Sequence, residues 1–103
     1  MNKYAKRVDS NQKEIVDAFK KMGASVFDAS HIGAGFPDLL IGVNGRTVLV
    51  EIKSSEKAKF TDAQVKFMET WKGSAVSRIN DVQGAITLIK FLQTHPDKEE
   101  SCL

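Results

Sequence analysis

Cysteine is almost missing from this sequence. Cys102, beside the last residue, is the only one, which excludes an internal disulfide framework and a cysteine-built zinc site. Histidine is nearly as scarce: His31, in a glycine-bearing stretch, has no partner at metal-ligand spacing and reads either as an exposed loop residue or as a DNA contact. No apolar run approaches a membrane span, and the charged start, Met1 to Arg7, leads into no apolar core of signal-peptide length. The expectation is an intracellular, cytoplasmic protein with no membrane partner. Neither charge sign dominates, with 15 Lys and Arg against 13 Asp and Glu and a net charge of +2. So small a surplus neither demands nor opposes a nucleic-acid partner, because carboxylates at a metal site would offset basic residues on a binding face. Repeats and low-complexity tracts are absent. Gly33 and Gly35 lack the following helix that a phosphate-cradling loop needs, and there is no aromatic platform of the kind that holds single-stranded RNA.

What is present suffices for one small domain, residues 1–103, with flexible ends at 1–8 and 94–103. A chain of 103 residues, 42% hydrophobic and 27% charged, buries about two-thirds of its unfolded surface without a staple. Asp9 or Ser10 caps a first helix that runs to about Met22 and stops at Gly23. Ile15, Phe19 and Met22 form its inward stripe. Glu14 shares a row with Ala18 and Met22, on the border of that stripe, and reads equally as a first-turn carboxylate favoured by the helix dipole. A short strand follows within Ala24 to Asp28. Further on, Thr61 caps a second helix and Gln64, three residues later, completes a capping box; Val65, Phe67, Met68 and Trp71 are its core or interface residues, and Lys72-Gly73 ends it. Ser74 to Ile79 reads as a fourth strand. Asn80 or Asp81 caps a last helix to about Leu92, apolar on one stripe through Val82, Ala85, Ile86, Ile89 and Leu92 and on a second through Leu88 and Phe91, hence either sandwiched in the core or docked on a partner.

The stretch between these helices organises the chain. Leu39 to Val43 and Thr47 to Ile52 are apolar runs joined by Asn44-Gly45, whose left-handed preference is the strongest short hairpin signal. Side chains alternate along a strand, so Glu51 and Lys53 share one face while Val50 and Ile52 take the other. The turn returns Asp38, at the start of the first strand, to the end of the second. One end of one hairpin therefore carries two carboxylates and an ammonium.

Two carboxylates about 4 Å apart repel by roughly 4 kcal/mol at an effective dielectric near 20, and such a pair calls for a proton or a cation between them. Hard oxygen donors favour magnesium or manganese over zinc. Lys53, projecting into the same pocket, would orient a water or stabilise charge developing at phosphorus. These are the parts of phosphodiester hydrolysis.

Pro37-Asp38, twelve intervening residues, then Glu51-Ile52-Lys53 resembles the PD-(D/E)XK nuclease signature. The form Gly-Phe-Pro-Asp-Leu-Leu-Ile-Gly is most similar to the virus-type replication-repair nuclease (VRR-NUC) branch in its standalone form. The resemblance covers nearly the whole chain. It implies a restriction-endonuclease-like α/β core of helix-strand-strand-strand-helix-strand-helix, its mixed four-stranded sheet flanked by helices. It also implies that Asp38 and Glu51, with the Ile52 carbonyl and Glu14, hold one or two Mg²⁺ or Mn²⁺ ions, that Lys53 is catalytic, and that Gln64 lines the active site besides capping its helix. The implied protein is a homodimeric DNA endonuclease acting on branched DNA such as four-way (Holliday) junctions, in repair or recombination.

For the DNA backbone the candidates are Lys3, Lys6 and Arg7, with Tyr4 among them, and Lys57 and Lys59 after the third strand; the alternative for the first group is a solvated chain end and for the second a solvated loop. The alternative to an enzyme is a nuclease-like module that binds branched DNA or a replication or repair partner without cutting. The complete Asp, Glu and Lys set opposes it, since a module freed from catalysis has no use for buried like charges face to face.

Overall fold

Asn44 and Gly45 both adopt positive φ, 55° and 79°, the backbone of a two-residue hairpin turn. That turn sets Val43 opposite Arg46 and fixes the register of β2 (Leu39–Val43) against β3 (Arg46–Ile52), with Leu39 opposite Val50. The computed structural model describes residues 11–95. Around the hairpin it places α1 (Gln12–Lys21), β1 (Ser25–Asp28), α2 (Asp62–Thr70), β4 (Val76–Ile79) and α3 (Val82–Thr94). The four strands form one open sheet in the order β1-β2-β3-β4. Strand β1 runs antiparallel to β2, and β4 runs parallel to β3 after the crossover through α2, so the sheet is mixed as the element order predicts.

Alternation then assigns the two faces. Leu39, Ile41, Val48, Val50, Ile52 and Ile79 point to one side, where Ile15 and Phe19 of α1 and Ala85, Ile89 and Leu92 of α3 close a single apolar core. Leu49, also buried, lies on the opposite face, one rung from Glu51. Asp81 caps α3, its Oδ1 accepting from the Gly84 amide at 2.8 Å. Leu88 packs against the core, whereas Phe91 is 50% exposed, so the second apolar stripe of α3 is divided between core and surface.

Three expectations need correction. Asp9 and Ser10 lie outside the described residues, and α1 is preceded by Asn11, which makes no side-chain cap; its Nδ2 donates instead to the Asn80 carbonyl at 2.6 Å and ties the start of α1 to the end of β4. Helix α2 ends at Thr70 and contributes nothing fully buried: Phe67 and Met68 are half-buried, while Val65 and Trp71 are exposed. Its aromatic residues pack among themselves, with Phe67 edge-on to Phe36 at 5.4 Å and stacked on Trp71 at 5.2 Å. Of the segments expected to be flexible, 1–8 and 96–103 lie outside the described residues, while Thr94 is ordered helix. That residue closes α3, and the His95 carbonyl accepts from Arg46 Nη1 at 2.6 Å, which binds the end of α3 to the hairpin. Among the described residues no helix is long and apolar enough to cross a membrane.

Candidate active site

The hairpin end opposite Asn44-Gly45 gathers the chemistry. Pro37 is fully buried, and its fixed φ delivers the chain into β2 with Asp38 one rung beyond the Leu39–Val50 pair, opposite Glu51. The Asp38 carbonyl accepts from the Ala29 amide at 2.8 Å, and its Oδ2 accepts from the Ile52 amide at 2.9 Å. The carboxylate is thereby aimed along the end of β3. Because the Lys53 amide donates to the Ile79 carbonyl on the β4 side, the amide and carbonyl of Ile52 both face the β2 side, where Asp38 lies.

Glu51 is 4% exposed, an unusual burial for a carboxylate. Lys53 Nζ stands 3.6 Å from its Oε2, with both side chains largely out of solvent. Gln64 joins the two: its Nε2 donates to Glu51 Oε2 at 2.6 Å, and its Oε1 accepts from Lys53 Nζ at 2.9 Å. The same Oε1 accepts from the Thr61 amide at 2.8 Å while Thr61 Oγ1 accepts from the Gln64 amide, so the capping box and the site share one side chain. Burial raises the Glu51 pKa from its ordinary 4.5 to about 7, helped by the charge and hydrogen bond of Asp38 and opposed by Lys53. Two opposed carboxyls that one ammonium does not neutralise are suited to taking up either a proton or a cation.

These groups line a cavity of about 480 Å³ walled by Gly33, Gly35 and Phe36 from the loop before β2, by Ser54 and Ala58 after β3, and by Thr61. Gly35 has φ 80°, and a Cβ there would collide with the Ala63 backbone, so the close approach of that loop to α2 requires glycine. Among the described residues no three His, Cys, Asp or Glu side chains come together as a metal-holding group. The donors present are two carboxylates and a carbonyl facing the same side. That set fits Mg²⁺ or Mn²⁺, which keep several waters and complete their shell with substrate phosphate; it does not fit a closed all-protein cage.

The structure thus brings Asp38, Glu51, Ile52, Lys53 and Gln64 together and leaves Glu14 out. The inward row of α1 is Gln12, Ile15 and Phe19, and Glu14, turned off that row, is exposed beside the groove between α1 and α3 with Lys21 and Val82. Lys57 and Lys59 are exposed on either side of Ala58 at the cavity wall. Lys3, Lys6 and Arg7 lie outside the described residues. His31 is exposed in its loop. Sequence reading passed over Phe60 and Arg78. Phe60 lies 5.3 Å from Lys53 Nζ at its ring centroid, and Arg78 pairs with Glu51 across the parallel strands. Their one signal was a basic residue inside a short strand, which acquires meaning only once the β3–β4 register is known. Comparison with protein-family models, with curated proteins and with solved structures finds no match for this chain.

Proposed function

We propose that the protein is a metal-dependent endonuclease that hydrolyses DNA phosphodiester bonds, with branched DNA such as a four-way junction as substrate and a homodimer as the acting form. The observation that carries this reading is the pairing of Asp38 with Glu51 at the open end of the hairpin, with Lys53 and Gln64 bonded to Glu51 beside an open cavity. Asp38, Glu51 and the Ile52 carbonyl would hold Mg²⁺ or Mn²⁺. A divalent cation there supplies a water that is nucleophilic at neutral pH and charge stabilisation at phosphorus.

The chain's own groups do the rest. Gln64 locks Lys53 and Glu51 in one geometry, so the ammonium does not have to be immobilised at the moment of reaction. Lysine has three donors; two face Gln64 Oε1 and Glu51 Oε2, which leaves one for a water or a non-bridging phosphate oxygen. Phe36 and the glycine loop wall the cavity on the α2 side, and Lys57 and Lys59 at its rim suit the flanking phosphates. A resemblance to the standalone VRR-NUC form supports the junction substrate and the dimer, since two symmetric cuts need two sites about a two-fold axis.

The test is cleavage of labelled linear duplex, single strand, flap and four-way junction with Mg²⁺, with Mn²⁺ and with chelator. Paired symmetric nicks on the junction, lost by at least about 10³-fold in Glu51→Ala or Asp38→Ala variants that keep the native circular dichroism, are expected. Survival of cutting in either variant removes the site assignment. Binding of branched DNA without metal-dependent cutting moves the protein to the binding-module class, and a monomer by sedimentation at working concentration removes the symmetric-cut reading.

A further inference from the structure

We propose that Arg78 is a positioning residue for this reaction, acting on Lys53 through Phe60 and the loop between β3 and α2; the role in catalysis rests on the nuclease reading above. Arg78 pairs with Glu51 across the parallel strands, so its side chain leaves the sheet on the face that carries the carboxylates. An arginine beside a buried carboxylate ordinarily forms a forked ion pair with it. Here the ion-pair partner of Glu51 is Lys53, and Arg78 reaches past the site. Its Nη2 donates to the carbonyls of Ser55 at 2.6 Å and Ala58 at 2.7 Å, which clamps a loop that has no helix or strand of its own.

The same guanidinium lies 5.4 Å from the centroid of the Phe60 ring, and Lys53 Nζ lies 5.3 Å from that centroid. The Lys53 ammonium is therefore held by three things: the Gln64 carbonyl, the Glu51 carboxylate and the negative face of an aromatic ring. The first two come with the hairpin and α2. The ring sits at the end of the clamped loop, immediately before the cap Thr61, and its place depends on Arg78. One guanidinium nitrogen bonds both carbonyls while the planar group lies near the ring; a lysine ammonium in its place is a point charge that lacks this planar, fixed geometry. Ala58, one of the clamped residues, lines the cavity, so the clamp also sets where the loop's lysines stand relative to the site.

Steady-state cleavage and limited trypsin digestion test this on the full chain. Arg78→Lys is expected to lower kcat about 10-fold or more with KM within about twofold, and Phe60→Leu, which keeps apolar bulk without a ring face, to do the same. Phe60→Tyr should recover most of what Phe60→Leu loses. In a Lys53→Ala background, Arg78→Ala should add no more than about a twofold further loss, because both changes remove one shared effect. Trypsin should cut after Lys57 and Lys59 faster in Arg78→Lys than in the wild type at equal thermal midpoint.

A rise in KM with kcat unchanged makes Arg78 a direct phosphate contact and overturns the proposal, as do multiplicative losses with Lys53→Ala. An unchanged trypsin rate overturns the clamp itself. Absence of metal-dependent cutting by the wild type refutes the nuclease reading instead, and the trypsin result still decides whether Arg78 holds the loop.

Discussion

On one face of the sheet, α1 and α3 drive Ile15, Phe19, Ala85, Ile89 and Leu92 into contact with the apolar sides of β2, β3 and β4. On the other, the nine residues of α2 bury none of their number, yet α2 supplies the side chain that binds both Glu51 and Lys53. The first face spends its residues on excluding water. The second keeps a carboxylate pair, a lysine and an open cavity, features that oppose close packing. Stability and chemistry are thus placed on opposite sides of a single sheet, and β3 is the element common to both: Val48, Val50 and Ile52 face the core while Glu51 faces the site.

The division can be broken most forcefully from the core side. Phe19→Ala removes a fully buried ring and should cost about 3–5 kcal/mol in urea unfolding. Val65→Ala on α2, a 38% exposed position, should stay within about 0.5 kcal/mol. Similar losses at both positions would mean that α2 is part of the stabilising core after all.

A smaller effect sharpens the comparison from the site side. With the ordinary glutamate value of 4.5 raised to about 7, the folded metal-free protein holds a proton on Glu51 through a range in which the unfolded chain has released it. Folding then takes up a proton, so stability is greatest at the acid end of that window and is lost as pH rises through about 7, by at most roughly 3 kcal/mol. Urea midpoints at about pH 5 and about pH 8 measure this. Glu51→Gln should flatten the dependence, and Mg²⁺ should restore stability at the alkaline end more than at the acid end. A wild-type midpoint that rises across the window would contradict the burial of Glu51 beside Asp38.

The smallest effect is local. Thr61→Ala deletes the hydroxyl that accepts from the Gln64 amide and should cost about 1 kcal/mol in α2. Because α2 buries so little, the loss should appear as about 5-fold faster hydrogen exchange at the start of α2, with the global midpoint nearly unmoved. An equal shift of global stability would show that α2 unfolds only with the core.

Much of this arrangement was legible in the sequence because its signals are short. Asn44-Gly45 dictated the turn and, through period-two alternation, the meeting of Asp38 with Glu51; Thr61 and Gln64 announced the cap by their spacing. What escaped the reading depends on register between distant segments. Asn11, which precedes α1, bonds to Asn80, 69 residues away, and Arg78 reaches Ser55 and Ala58 over 23 and 20 residues. Glu14 stood open between two readings for a different reason. On a helix one residue turns the side chain by about 100°, so a position bordering the inward stripe can belong to either side until the packing partner is known.

Gly35 sets the mechanical tolerance of the whole assembly. The loop that leads through Phe36 and Pro37 to Asp38 rests directly on the first turn of α2, backbone against backbone, and Gln64 sits in that same turn. The spacing between the strand that carries one half of the site and the helix that carries the other is therefore gauged by the absence of a methyl group. Any side chain at position 35 acts as a shim driven against the Ala63 carbonyl and the Gln64 amide, and so pushes the Gln64 side chain away from Glu51.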